Sequence, residues 1–220
     1  MARIDPITAV HARSTLDAQS LGSVRGERTL FRGLTFSLEN GGLLQVRGPN
    51  GSGKTSLLRM VCGLLPPMSG KITWNSTDVG GAGDDFKASL CYVGHLNGIK
   101  DELNALENLH FSARLGDLQA DEEATRAALT EFGLGGFEHL PCKVLSQGQR
   151  RRLALARLKL SGSCPLWVLD EPFAALDADG IATMSTLLEE HLARGGLALL
   201  TTHQDVPVAG PGVRSLQLGQ

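Results

Sequence analysis

The sequence predicts an α/β protein built on a mostly parallel sheet, with a helical subdomain inserted into it. Short apolar runs at residues 43–46, 90–93, 166–169 and 197–202 read as strands, and helical stretches separate them. Residues from about 103 to 160 are rich in Ala, Leu, Glu and Arg and poor in β-branched residues, which reads as a block of helices. A glycine-rich turn, GPNGSGK, joins the run at 43–46 to an apolar-periodic helix.

Taken in order, residues 1–14 read as an N-terminal extension. Strands follow at 16–21, 29–38 and 43–46, set apart by glycine turns at Gly26 and at Gly41 and Gly42. The helix after the glycine-rich turn carries Leu57, Leu58, Val61 and Leu65 on one face, and Pro66, Pro67 and Gly70 are expected to stop it. Strands at 71–74 and 90–93 flank a loop at 80–85 taken as flexible. After the helical block come a strand at 166–169, a helix at 181–193 and a strand at 197–202. One domain over 15–205 is expected, with its helical subdomain at about 96–160 and a tail at 206–220.

Composition excludes several classes. The chain has 220 residues, 21 Lys and Arg against 23 Asp and Glu, and a net charge of −2. That balance argues against an electrostatic nucleic-acid binder, which shows a basic excess. Its 27 glycines exceed the ordinary ~7% without the period of collagen. No apolar stretch approaches the ~20 residues of a membrane-spanning helix. The N-terminus mixes charge and proline where a signal peptide would be apolar. Cys62, Cys91, Cys142 and Cys164 are far apart, with no C-x-x-C pair, and read as reduced, mostly buried thiols.

Residues 48–55, GPNGSGKT, fit G-x-x-x-x-G-K-[ST], the phosphate-binding loop. Glycines let successive backbone N–H groups turn inward on a phosphate, and the following helix adds the positive end of its dipole. Gly48, Pro49, Asn50, Gly51, Ser52, Gly53, Lys54, Thr55 and the adjacent Ser56 are the expected nucleotide-binding residues. Lys54 is expected to reach the β- and γ-phosphates, and the Thr55 hydroxyl to ligate Mg²⁺. The run LWVLDE at 166–171 is a buried strand ending in two carboxylates. Asp170 would stand beside the Mg²⁺. Glu171, one residue on and so pointing the other way along a strand, would polarise the attacking water.

Just ahead of an arginine-rich helix stands Leu145-Ser146-Gln147-Gly148-Gln149, with Asp170 following 21 residues beyond Gln149. Here the chain resembles the ATP-binding cassette (ABC) ATPases, whose signature reads LSGGQ. Gln147 replaces the first glycine of that signature. A plain helix N-cap would account for Ser146 alone, but not for the order of the three motifs. The resemblance implies a RecA-like parallel core, an antiparallel β subdomain near the N-terminus and an inserted helical subdomain. It also implies a homodimer in which Ser146, Gly148 and Gln149 face the ATP held by the other protomer. Asp177 corresponds to the coupling loop across that dimer, and His203 to the switch histidine that contacts the γ-phosphate, which makes Lys54, Glu171 and His203 the expected catalytic set. His95 stands where the family places a metal-sensing glutamine and is the third candidate metal residue beside Thr55 and Asp170. Arg25 stands where an aromatic residue usually stacks on adenine, and a guanidinium can stack there as well.

The stretches at 25–36, 92–109, 145–158 and 165–177 resemble the ATPase subunits of cytochrome c maturation haem exporters. The resemblance implies an ATP- and Mg²⁺-using translocase subunit, peripheral on the cytoplasmic face of a bacterial inner membrane, that works with separate integral-membrane partners. No nucleic-acid partner and no direct haem contact are expected. The alternatives are a soluble ABC switch acting on nucleic acid or ribosomes, or the ATPase of another small-substrate transporter. The cluster Arg150, Arg151 and Arg152 is read as a solvated or domain-bridging helix face rather than a nucleic-acid patch.

Overall fold

The structure is a computed structural model and describes residues 10–81, 83–116, 120–203, 206–208, 210 and 212–219. In chain order the elements begin with β1 (Thr15–Arg25), β2 (Arg28–Glu39), β3 (Leu43–Arg47), α1 (Lys54–Val61), β4 (Ser69–Trp74) and β5 (Thr77–Asp78). Then come α2 (Asp84–Ala88), β6 (Leu90–Val93), α3 (Ala105–Leu115), α4 (Glu122–Glu131) and α5 (Gln147–Leu160). The last are β7 (Leu166–Leu169), α6 (Ala178–Ala193), β8 (Leu197–Thr201) and β9 (Val213–Gln217).

Two sheets form. An antiparallel one runs β2-β1-β4-β5, and a five-stranded parallel one runs β6-β7-β8-β3-β9. The central strands β7 and β8 are apolar almost throughout because both their faces are covered. In β7, Leu166 and Val168 join the apolar cluster that holds α1 and the antiparallel sheet, while Trp167 and Leu169 join the one that holds α6 and the helical block. Leu197 and Leu199 of β8 likewise alternate with Ala198 and Leu200. Helices α3, α4 and α5 pack mutually as the inserted subdomain, through Leu109, Leu129, Phe132 and Leu153.

Three expectations change. Helix α1 stops at Val61, before the proline pair. Gly63 has φ +68, its N–H reaches Met60 O, and Leu64 N–H reaches Arg59 O, a Schellman close that leaves Leu65 outside the helix. The loop at 80–85 gives way at Asp84 to α2, whose Phe86 is buried against Trp74. The segment at 206–220, read as a tail, supplies β9, which extends the parallel sheet beside β3. Its sequence, Val-Arg-Ser-Leu-Gln, is mostly polar and exposed, with Val213 and Leu216 packing on opposite faces, which suits an edge strand.

Candidate nucleotide site

The parallel strands end on one edge, and each delivers a polar group there. This is the crevice at the carboxyl ends where open α/β sheets bind ligands. β3 runs into the glycine loop. Gly48, Gly51 and Gly53 all have positive φ, at 150°, 78° and 102°. A Cβ at Gly53 would come within 3.0 Å of the Phe31 ring from β2, so close approach as well as conformation requires glycine there. The Ser52 hydroxyl is buried in this loop with no hydrogen-bond partner among the described residues, an orphan that a phosphate oxygen would satisfy. Lys54, only 7% exposed, donates from Nζ to Gly48 O at 2.8 Å and Pro49 O at 3.3 Å.

From the ends of β7 and β8 come the carboxylates and the histidine. Asp170, 3% exposed, accepts from the Thr55 hydroxyl at 2.9 Å on one oxygen and from the Thr201 hydroxyl at 2.6 Å on the other. Thr201 Oγ1 in turn accepts from the Glu171 N–H at 2.8 Å. His203 Nε2 lies 2.7 Å from Glu171 Oε1 and 3.2 Å from Lys54 Nζ. So Lys54, Thr55, Asp170, Glu171 and His203, expected from separate motifs, meet in one cluster.

Glu171 is aimed differently from the expectation. β7 stops at Leu169, and Glu171 has φ +51, so a left-handed turn rather than strand alternation sets its direction. Thr201 was missed altogether. A threonine closing an apolar strand, next to the candidate histidine, is the signal that could have found it.

Thr55 and Asp170 are hard oxygen donors at the head of the glycine loop, the ligand chemistry Mg²⁺ takes alongside phosphate oxygens and water. Among the described residues no group of three or more His, Cys, Asp or Glu side chains could hold a metal by itself. His95 is exposed on the loop after β6, and Arg25 is exposed at the hairpin tip, paired with Arg28 across the turn at Gly26.

The signature residues stand elsewhere. Ser146 caps α5: its hydroxyl accepts from Gln149 N–H at 3.2 Å, and the Gln149 side chain accepts from Ser146 N–H at 2.9 Å. Ser146, Gly148 and Gln149 line a polar depression of about 550 Å³ with Gly133, Arg152, Ala175 and Asp177, and no residue of the glycine loop lines it. Asp177 caps α6 by accepting from Gly180 N–H, and the Arg152 guanidinium bonded to it holds its carboxyl below the ordinary range. Gly133 has φ +69 and lies against the Arg152 guanidinium.

The three consecutive arginines near the start of α5 are engaged with the protein. Arg150 bonds Asp101 and Cys142 O, Arg152 bonds Asp177 and Phe132 O, and Arg151 is buried under the carboxylate turn. The face bridges segments of the fold, as one of the two expected readings had it.

Residues 31–174 match the ABC transporter family model. The chain belongs to that family. The cassette is 52% identical over 93% of its length to the cytochrome c biogenesis ATP-binding export protein CcmA of Nitrosospira multiformis, spanning 98% of that relative. It is 53% identical to the protein of the same name from Dechloromonas aromatica, spanning all of it. Among solved structures it resembles a putative ABC transporter ATP-binding protein from Pyrococcus furiosus, with TM-score 0.79, 22% identity, and 93% and 97% of the two chains covered. It also resembles the cassette MJ0796, determined as a dimer bound to ADP and phosphate, with TM-score 0.75, 22% identity and the same coverage. These likenesses establish the fold, and the family is one of ATP-binding proteins.

Proposed function

We propose that this cassette is the ATP-hydrolysing subunit of the haem exporter of cytochrome c biogenesis, converting ATP-driven closure of a homodimer into movement of separate integral-membrane subunits. The observation that carries the reading is 52% identity over 93% of the chain with a relative named as an ATP-binding export protein of that process.

In this reading the loop amides from Gly48 to Ser56, the Ser52 hydroxyl and Lys54 bind the triphosphate, and the Arg25 guanidinium stacks on the base. Thr55 and Asp170 would hold Mg²⁺, which when bound would neutralise charge on the β- and γ-phosphate oxygens. His95, as an imidazole on an exposed loop, is assigned to the hinge rather than to the ion. Glu171 orients the attacking water and takes its proton, while Lys54 and His203 hold the charge that develops on the γ-phosphate.

A single ring nitrogen can serve Lys54 or Glu171 but not both by hydrogen bond, so an arriving phosphate oxygen would separate a cluster that is closed on itself here. Ser146, Gly148 and Gln149 then meet the γ-phosphate of the other protomer, and the family's dimeric neighbour supports that assembly. The loop around residues 95–109 passes closure to the membrane partners, and the subunit works peripherally at the cytoplasmic face of the inner membrane.

Glu171→Gln protein, incubated with ATP and detergent-solubilised membranes, should be recovered as an ATP-retaining dimer together with an integral-membrane protein. Turnover near the wild-type rate in this variant would overturn the catalytic assignment. Recovery with ribosomes or nucleic acid instead would overturn the transport reading.

A further inference from the structure

Arg151 lies in the first turns of α5 and is 5% exposed, yet the proposed mechanism gives it no role. Its guanidinium makes four hydrogen bonds. One terminal nitrogen donates to Gly94 O and to Asn97 Oδ1, both at 3.1 Å, on the loop that follows β6. The other donates to Asp170 O and to Glu171 O, both at 2.8 Å. One planar fork thus joins the signature helix, the hinge loop and the turn that carries the carboxylates. A guanidinium suits this because its donors are fixed relative to one another. A lysine could reach one of these segments and not all three.

Glu171 is where the tie matters. It holds φ +51 without being glycine, a left-handed conformation that L side chains rarely adopt. Three groups hold its peptide units: the Thr201 hydroxyl accepts its N–H, and the Arg151 guanidinium at 2.8 Å and the Ala174 N–H at 3.1 Å donate to its carbonyl. Without Arg151 the carbonyl would keep only the longer bond from within its own turn, so the turn could relax to a right-handed one and the carboxylate swing away from His203 Nε2, now 2.7 Å distant. The same fork grips Gly94 and Asn97, so a shift of the hinge loop pulls on the Glu171 carbonyl directly.

We propose that Arg151 is a positioning residue for ATP hydrolysis: it locks the left-handed turn that aims Glu171, and it makes that lock depend on the hinge loop between β6 and α3. The proposal rests on the reading of Glu171 as the group that orients water. Arg151 touches neither nucleotide nor water and acts through Glu171.

The test is steady-state ATPase of the purified full chain as Arg151→Lys and Arg151→Gln. A 1 Å misplacement of a catalytic group costs up to about 100-fold, so kcat should fall about 10- to 100-fold while KM for ATP stays within about twofold. In a Glu171→Gln background, adding Arg151→Lys should neither lower the residual rate further nor weaken ATP retention. Arg151→Lys with wild-type kcat, or with a KM that rises as far as kcat falls, would overturn the proposal. So would a further loss of rate in the double variant, which would show Arg151 acting elsewhere. Should both Arg151 variants fail to fold, Asn97→Ala removes one of the two bonds to the hinge loop and leaves those to Asp170 and Glu171 in place; a lowered kcat at unchanged KM supports the tie, and a wild-type kcat overturns it. Wild-type turnover by Glu171→Gln alone would instead sink the catalytic reading beneath it, a separate outcome.

Discussion

His203 and Glu171 are bound to each other across the ends of two adjacent strands, with Nε2 of the imidazole 2.7 Å from Oε1 of the carboxylate. β8 delivers one and the turn after β7 delivers the other, and the parallel register Leu169↔Leu200 keeps both at the same height. The contact therefore depends on sheet pairing and not on a mobile loop.

His203→Ala should lower kcat about 100-fold, the scale of a lost positioned polar group at a reacting centre, with KM for ATP little changed. Phosphate-release kinetics check this. A KM effect alone would mean that the imidazole serves binding rather than turnover.

Thr55 and Asp170 share one hydrogen bond at 2.9 Å. Thr55→Ala should raise the Mg²⁺ concentration needed for half-maximal hydrolysis, and chelation should abolish turnover in the wild type. A magnesium titration with manganese as a second cation reads it. An unchanged magnesium midpoint would remove Thr55 from the ion's ligands.

Ser146 caps α5, and in the proposed dimer it also contacts a neighbouring protomer's nucleotide. Ser146→Ala should cost about 1 kcal/mol of stability through the lost cap. Ser146→Asp should keep the cap and still prevent ATP-dependent dimerisation, by placing a carboxylate against a phosphate. Thermal melts and gel filtration with ATP in the Glu171→Gln background separate the two. A dimer formed by Ser146→Asp would contradict the second duty.

His191 is wholly buried, its ring stacked on Trp167 with centroids 3.8 Å apart and planes 5° from parallel, and burial pushes its imidazole down to about 3. An unfolded histidine titrates near 6.5, so between those values the unfolded chain binds the proton and the folded chain does not. Stability is full above pH 6.5 and falls as pH drops from there toward 3. The loss at pH 5 is about 2 kcal/mol. His11, whose imidazole burial also lowers, acts in the same direction. Urea unfolding at pH 7.5 and pH 5 measures the difference, and His191→Phe should shrink it while keeping the stack. A midpoint independent of pH would contradict the assignment.

What could be read in the chain, and what could not, divides by distance. The glycine loop is a local pattern that stood out alone, and the strand 166–169 with the carboxylates after it gained its meaning from that loop, because the chemistry demands both. The parallel core followed from apolar runs too continuous to have a solvated face. Gly63 closing α1 lay hidden because the prolines beyond it are the louder stop. The left-handed turn at Glu171 is imposed by Thr201, 30 residues on, and by Arg151, 20 residues back, and no local pattern announces either bond. Three consecutive arginines look alike as letters; only packing distinguishes the buried one from the two tied at the surface. β9 is short, mostly polar and preceded by a proline- and glycine-rich stretch, so it resembled a loose end.

That last strand changes what counts as a whole cassette. β9 pairs with β3 from Leu43 to Arg47, Leu218 N–H bonds Arg47 O at 2.8 Å, and Gly219 lies so near Ser52 and Pro49 that a Cβ there would come within 3.1 Å of the serine. The back wall of the phosphate loop is thus made from residues that follow every recognisable motif. A version cut at residue 212 would pass any motif-based inspection yet carry a weakened loop.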